Sequence, residues 1–266
     1  MMATNIPPLH TLDPLGRFSD RAQDYARYRP SYPEAAIAAI LAGLGDPRHL
    51  TVADIGAGTG ISSRLLGDRG ARVIAVEPNT AMAEAAAPHA QVTFQAGTAE
   101  QTGLATESVQ VVTCCQSFHW FHAPSAVAEF SRILQPGGRL ALLWNDWDLN
   151  DPCTAAYRTI IQAVATRQIR HHDHTHSLEE VAAHPDFTPM EQLSFAYRQR
   201  LTRPEVVGRS LSSSYMPKTG DGYDQFLDAI MAWHQTWAAT NGTVTLAYIT
   251  NLYTMGPPST IYCAKL

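Results

Sequence analysis

Apolar residues along this chain change their rhythm several times, and each change marks an element. Short apolar runs at 51–55, 72–76, 91–95, 109–114 and 139–144 have the length and the β-branched content of buried strands. Between them, apolar residues three and four apart predict helices over 18–28, 33–44, 61–69, 79–87 and 123–134. Alternating strands and helices of this kind predict an α/β fold on a parallel sheet. Beyond 144 the rhythm weakens. Helices are expected over 151–168, 204–214 and 220–240, the last with Phe226, Ile230, Trp233 and Trp237 at helical steps, a core face. Alternation over 191–202 and an apolar run over 244–253 predict two late strands, with Asn241-Gly242 as the turn before the second. Residues 184–189 read as turn-rich. Residues 1–15 hold three prolines and no period, and read as a flexible lead-in.

The chemistry concentrates at the first two strands. Thr51 to Gly60 reads T-V-A-D-I-G-A-G-T-G, a strand that ends in Asp54 and opens into a glycine loop ahead of a helix. Gly56, Ala57 and Gly58 let a ligand press against the backbone, where a helix N-terminus presents free N–H groups. The second strand ends in Glu77-Pro78-Asn79. Glu77 stands roughly 20 residues past the loop, the separation at which a second-strand carboxylate grips ribose hydroxyls. Loop and acid together predict a nucleoside-bearing cofactor across the ends of two parallel strands. Position 61 is Ile, so the dinucleotide fingerprint G-x-G-x-x-G is not met.

D-I-G-A-G-T-G followed by V-I-A-V-E-P-N resembles motifs I and II of the class I S-adenosylmethionine-dependent methyltransferases. Gly97-Thr98-Ala99-Glu100, Cys115-Gln116-Ser117-Phe118-His119-Trp120-Phe121 and Arg132-Ile133-Leu134-Gln135-Pro136-Gly137-Gly138 are similar to its ubiquinone-biosynthesis and trans-aconitate methyltransferase-like branch. F-S-D-R-A-Q-D-Y-A-R-Y-R-P-S-Y-P, residues 18–33, fits that branch too. The resemblance implies a doubly wound, mostly parallel sheet of seven strands, order 3-2-1-4-5-7-6, closed by an antiparallel pair. It implies one domain over 1–266, with N-terminal lid helices at 18–45, a cofactor-binding core at 46–144, and a substrate cover with the final strands at 145–266. The implied cofactor is S-adenosylmethionine. Its methionine carboxylate falls to Tyr25 and Arg29, and its adenine to Met82 and to Thr98, Ala99 and Glu100. Relatives often carry Asp at Thr98 and at Gln110. Cys115, Gln116 and Ser117 line the methionine arm, and Phe118, Trp120, Phe121 and Trp144 wall the substrate. The motif [DN]-P-P-[FY], common in amino-group methyltransferases of nucleobases and glutamine, does not occur here.

Methyl transfer needs alignment and water exclusion more than a dedicated catalyst. His119 is the candidate base, since imidazole titrates near neutral pH, and its alternative is a pocket-shaping hydrogen bond. His122 is the weaker candidate. Phe118, Trp120, Phe121, Trp144 and Trp147 form an aromatic group at the ends of strands four and five, suited to an apolar or aromatic substrate and to cation–π contact with a sulfonium. Arg198, Arg200, Arg203 and Arg209 are candidates for holding a second carboxylate of the acceptor, or are surface residues. The run 171–176, H-H-D-H-T-H, has the donors of a metal site and reads more simply as a solvated loop.

Bulk properties narrow the remaining classes. A chain of 266 residues, 45% hydrophobic, buries a full core. A net charge of -5 argues against nucleic acid as partner. Four cysteines, two of them adjacent at Cys114 and Cys115, with Cys153 and Cys263 apart, suit reduced thiols in a cytoplasmic protein. There is no apolar run long enough to span a bilayer. A small-molecule methyl acceptor and a monomer or homodimer are therefore the expected partners. A non-catalytic cofactor-binding protein and an NAD-dependent oxidoreductase are the competing readings.

Overall fold

The computed structural model describes residues 19–165, 175–187 and 189–256. The lead-in 1–15, Phe18, Cys263 and the side chains of the histidine run 171–176 lie outside the described residues.

Seven strands form one sheet: β1 (Thr51–Ile55), β2 (Arg72–Val76), β3 (Val92–Gln95), β4 (Val109–Cys115), β5 (Leu134–Trp147), β6 (Met190–Thr202) and β7 (Thr243–Met255). Their order is β3-β2-β1-β4-β5-β7-β6, as the resemblance implied. The first five run parallel, while β7 pairs antiparallel with both β5 and β6. Strand five begins five residues ahead of its expected start, because Leu134 already pairs with Val109. The ladder resumes at Val111 and Arg139 after a register shift that accommodates Pro136-Gly137-Gly138.

Nine helices among the described residues flank the sheet: α1 (Ala22–Tyr28), α2 (Glu34–Leu41), α3 (Ile61–Asp68), α4 (Thr80–Glu84), α5 (Ala123–Ile133), α6 (Pro152–Val164), α7 (Thr175–Ala182), α8 (Arg203–Leu211) and α9 (Asp221–Trp237). Helices α2 and α3 bury Ile37, Ile40 and Leu66 against Val52, Val73 and Val111 on one face. On the other, Val127 and Phe130 of α5 and Val181 of α7 pack on Val112, Leu140 and Leu142. Adjacent strand residues thus serve opposite layers, which is why the parallel strands read as unbroken apolar runs. Edge strand β6 alternates instead, with one side exposed. A third cluster joins Tyr157, Ile161, Val206, Phe226, Ile230 and Trp233 to Leu246 of β7. Trp237, expected on that core face, is instead 38% exposed at the last position of α9. Helix α7 had no clear signal in the polar, histidine-rich stretch that precedes it.

Arg139 is fully buried on β5, and its Nη1 donates to the carbonyls of Ile40 at 2.9 Å and Ala42 at 2.7 Å. A strand residue therefore satisfies the open carbonyls at the end of α2, with its charge at the favourable end of the helix dipole. The N-terminal segment is fastened in a similar way. Arg21 donates to the Ser213 carbonyl at 2.7 Å, Asp20 pairs with Lys218 at 2.7 Å, and Gln199 donates to the Tyr28 carbonyl at 3.0 Å. Helix α1 lies directly on α8, where Gly208 leaves space for the Tyr28 ring and any added methyl would overlap it.

Gly208→Ala is expected to destabilise the chain by about 1–3 kcal/mol through overpacking of α1 on α8, read as a lower urea midpoint at unchanged slope.

Candidate functional site

Asp54 closes β1 with a carboxylate that is 0% exposed. It accepts hydrogen bonds from Ser62 at 2.7 Å, Ser63 at 2.6 Å and Thr113 at 3.0 Å. Burial pushes its carboxyl above the usual range, and the three hydroxyls and the Ser63 amide pull it back. Asp54 thus ties the end of β1 to the first turn of α3 and to β4, where a negative charge meets the positive end of a helix. The intervening loop runs through Gly56, Gly58 and Gly60 at φ of 65°, 58° and 70°. A side chain is excluded at Gly56 for a second reason: its Cβ would lie 2.7 Å from Ser117 Cβ and 3.0 Å from Phe121. Ser117 stands that close because its hydroxyl donates to the Ile55 carbonyl at 2.7 Å.

Glu77 ends β2 beside this loop. One carboxylate oxygen accepts the Gly58 amide at 2.7 Å and the other the Asn79 amide at 2.9 Å. Burial raises its carboxyl above the ordinary glutamate value, against the pull of the Asn79 and Gly58 amides. Asn79 caps α4 by accepting the Met82 amide at 3.2 Å and donates to Ser19 Oγ at 2.9 Å. The Met82 methyl lies 3.3 Å from where a Gly58 Cβ would stand.

A cavity of about 270 Å³ opens between these groups. Gly56, Gly58, Glu77, Pro78, Met82, Thr98, Ala99, Glu100, Gln116, Ser117, Trp120, Phe121 and Tyr25, all anticipated from sequence, line it together with Asn79 and His122. Asn79 was legible as a helix N-cap after a strand-terminal Glu-Pro, but not as a wall. His122 closes the rim, with its amide donating to Glu100 Oε1 at 2.9 Å. Gln116 sits at φ of 58°, rare for a residue with a side chain, held by its amide to the Leu143 carbonyl at 2.8 Å and its Nε2 to the Asn145 carbonyl at 3.0 Å.

Other expected site residues are placed elsewhere. Asp54 and Ala57 shape the loop from beneath: Asp54 is spent on the three hydroxyls, and the Ala57 amide on the Val76 carbonyl at 3.2 Å. Phe118 is 1% exposed and packs edge-on to Phe121 in the α5 core layer, so it backs the wall instead of forming it. Trp144 is 0% exposed, packed on Tyr253, and its Nε1 donates to His119 Nδ1 at 3.2 Å. The 3₁₀ turn Phe118–Trp120 explains the outcome, since successive side chains of such a turn point about 120° apart. Trp120 and Phe121 reach the cavity, while His119 turns to Trp144. Trp147 packs on Tyr157 in the third cluster. Arg29 lies over the Tyr25 ring, 4.6 Å from its centroid, and donates to the Ser212 carbonyl at 3.3 Å. Arg198, Arg200 and Arg203 are exposed, and Arg209 alone of the four points inward, 4% exposed.

Among the described residues no group of three or more His, Cys, Asp or Glu is arranged to hold a metal, and no helix is long and apolar enough to cross a membrane. Cys114, Cys115 and Cys153 are buried as free thiols.

A family model described as a methyltransferase domain matches residues 53–142. The chain is 40% identical over 134 residues to a Mycobacterium tuberculosis protein described as an uncharacterized methyltransferase, covering 49% of this chain and 53% of that one. It is 37% identical over 97 residues to the ubiquinone/menaquinone biosynthesis C-methyltransferase UbiE of Rubrivivax gelatinosus, covering 35% and 38% of the two chains. The chain thus spans about half the length, or less, of the curated relatives it matches. A solved structure of a candidate type II methyltransferase from Anaeromyxobacter dehalogenans shares the fold with a TM-score of 0.64 at 23% identity, over 86% of this chain and 98% of that one. The matched stretch contains the glycine loop, Glu77 and the turn after β4, so the core of the chain over residues 53–142 is similar to a methyltransferase domain.

Proposed function

We propose that the chain binds S-adenosylmethionine in the cavity between Gly56, Gly58 and Glu77 and transfers its methyl group to a small-molecule acceptor. The observation that carries this reading is the Glu77 carboxylate, fixed by the Gly58 and Asn79 amides at the strand end where a ribose would lie. The residues present fit the cofactor. Gly56 and Gly58 leave the loop without side chains, Met82 offers a polarizable wall for adenine, and Gln116 and Ser117 are polar partners for the amino-acid arm. The bound cofactor supplies a sulfonium methyl, which an acceptor lone pair takes as the carbon–sulfur pair returns to sulfur.

The chain's own part is positional. Tyr25, Trp120 and Phe121 exclude water from the cavity and present aromatic faces to a cation. In-line alignment of two bound reactants supplies on the order of 7–11 kcal/mol, enough that no side chain has to act as base. His119 is better placed to hold Trp144 than to take a proton, because its Nδ1 is already the acceptor of the indole N–H. Residues 46–144 would hold the cofactor, with α1 and the elements beyond 144 as the cover over the acceptor. The aromatic wall suits an acceptor with an apolar or aromatic body. The name of the similar UbiE protein places that relative in quinone biosynthesis, which agrees with such a body.

Glu77→Ala is expected to weaken S-adenosylhomocysteine binding by about 2–4 kcal/mol, roughly 30- to 700-fold, measured by isothermal titration. Unchanged affinity would remove Glu77 from the cofactor site. A pH dependence follows from the same carboxylate. Ribose hydroxyls donate to the ionised form, so affinity is full above the folded-state value of Glu77 and falls as pH drops through it. Because burial raises that value, the fall begins at a higher pH than for an ordinary glutamate. Titrations across pH should show this acid limb in the native chain and not in Glu77→Gln. A limb that persists unchanged in Glu77→Gln would mean that a group other than Glu77 sets it.

A further inference from the structure

One step beyond Tyr25, the cofactor reading leaves two inward-facing cations unused, Arg29 half-buried and Arg209 buried. Arg29 follows the last turn of α1, with its guanidinium 4.6 Å from the centroid of Tyr25, itself a wall of the cavity. Arg209 lies on α8, 4% exposed, and Arg29 feels its charge. Arg29 Nη2 donates to the Ser212 carbonyl at 3.3 Å, and Arg209 donates through Nη1 to Ser213 Oγ at 3.4 Å and also hydrogen-bonds Tyr248. The Nε atoms of both are buried with no acceptor. No carboxylate among the described residues lies within ion-pair distance of either. Tyr25, Tyr215 and Tyr248 surround Arg29, and Tyr157, Tyr215 and Tyr248 surround Arg209. Tyr157 is further engaged with Ser210 at 2.8 Å, and Tyr248 with Gln199 at 3.2 Å.

A buried cation without a counter-charge is strongly destabilising, and a second cation beside it adds repulsion. Both guanidiniums carry forked donors that match the paired oxygens of a carboxylate or phosphate. We propose that Arg29 and Arg209 form an oxyanion subsite next to Tyr25, and that the methyl acceptor carries the carboxylate or phosphate group that fills it. The inference rests on the methyltransferase reading, since the subsite borders the cofactor cavity through Tyr25. It also reassigns Arg29, which the family resemblance gave to the methionine carboxylate. That carboxylate has the same chemistry and is the rival source of the anion.

The test uses the full chain saturated with S-adenosylhomocysteine, titrated with succinate and with inorganic phosphate against a chloride control. The expected result is saturable binding of at least one probe and a rise in melting temperature with it. Arg209→Met should weaken probe binding by on the order of tenfold or more and leave S-adenosylhomocysteine affinity within about twofold. Without probe its melting temperature should equal or exceed that of the native chain, because an uncompensated charge has gone. Arg209→Lys, which keeps the charge and loses the fork, should bind the probe with intermediate affinity. Absence of probe binding, or equal binding by native and Arg209→Met chains, overturns the proposal. It is also overturned if Arg209→Met loses S-adenosylhomocysteine while keeping 5′-methylthioadenosine, which lacks the carboxylate: the pair then holds the cofactor. Failure of the native chain to bind S-adenosylhomocysteine would count against the methyltransferase reading, and the probe titration would still decide the subsite.

Discussion

The buried carboxylate of Asp54 is the constraint on which the site depends. A charge at 0% exposure is tolerated only when its lone pairs are occupied, and here Ser62, Ser63 and Thr113 occupy them. Those partners belong to the first turn of α3 and to β4, so one side chain sets the distance between strand, helix start and neighbouring strand. The loop between Asp54 and α3 has to cross that fixed gap, and it does so through three glycines at positive φ. Loss of the carboxylate would free three polar groups in the core and the geometry of the loop together.

The rest of the cavity is referred to this loop. Ser117 reaches back to the Ile55 carbonyl, which brings β4 so close to Gly56 that no side chain fits. Glu77 reaches across to Gly58 and sets the other wall. The strand order β3-β2-β1-β4 places these three strand ends side by side, at the position where open parallel sheets bind their ligands. Tyr25 arrives from outside the sheet, on a helix held by Arg21, Gln199 and the gap at Gly208. Helix α1 is thus anchored to α8 and β6, elements far along the chain, and the cavity is complete only when those elements are in place.

Much of this was legible from residues whose chemistry leaves few alternatives. Gly56 and Gly58 announce a loop that a side chain would block, and Glu77 at a strand end announces a polar wall in an apolar context. The unbroken apolar runs of the parallel strands gave their positions within a residue or two, except at β5, where the ladder resumes across a register shift. The aromatic segment after β4 was not resolved by pattern. Phe118, His119, Trp120 and Phe121 are all near a strand end, but a tight 3₁₀ turn over Phe118–Trp120 sends Phe118 to the core and His119 away from the cavity. Only the turn geometry tells that Trp120 and Phe121 face the cavity while His119 meets Trp144. The arginines pose the same problem: Arg198 and Arg200 lie on the exposed side of an edge strand, and Arg209 is buried by the rotation of a helix that begins six residues before it. Arg139 shows a different limit, because a charge inside an apolar strand makes sense only once α2 is seen ending against it.

The central claim is that the glycine loop and Glu77 hold S-adenosylmethionine. Its most direct test is isothermal titration of the purified chain with S-adenosylmethionine, S-adenosylhomocysteine and NAD side by side. The account predicts saturable one-site binding of the first two and none of NAD, because Ile61 stands where a dinucleotide loop needs its third glycine. Binding of NAD alone, or of none of the three, would contradict it.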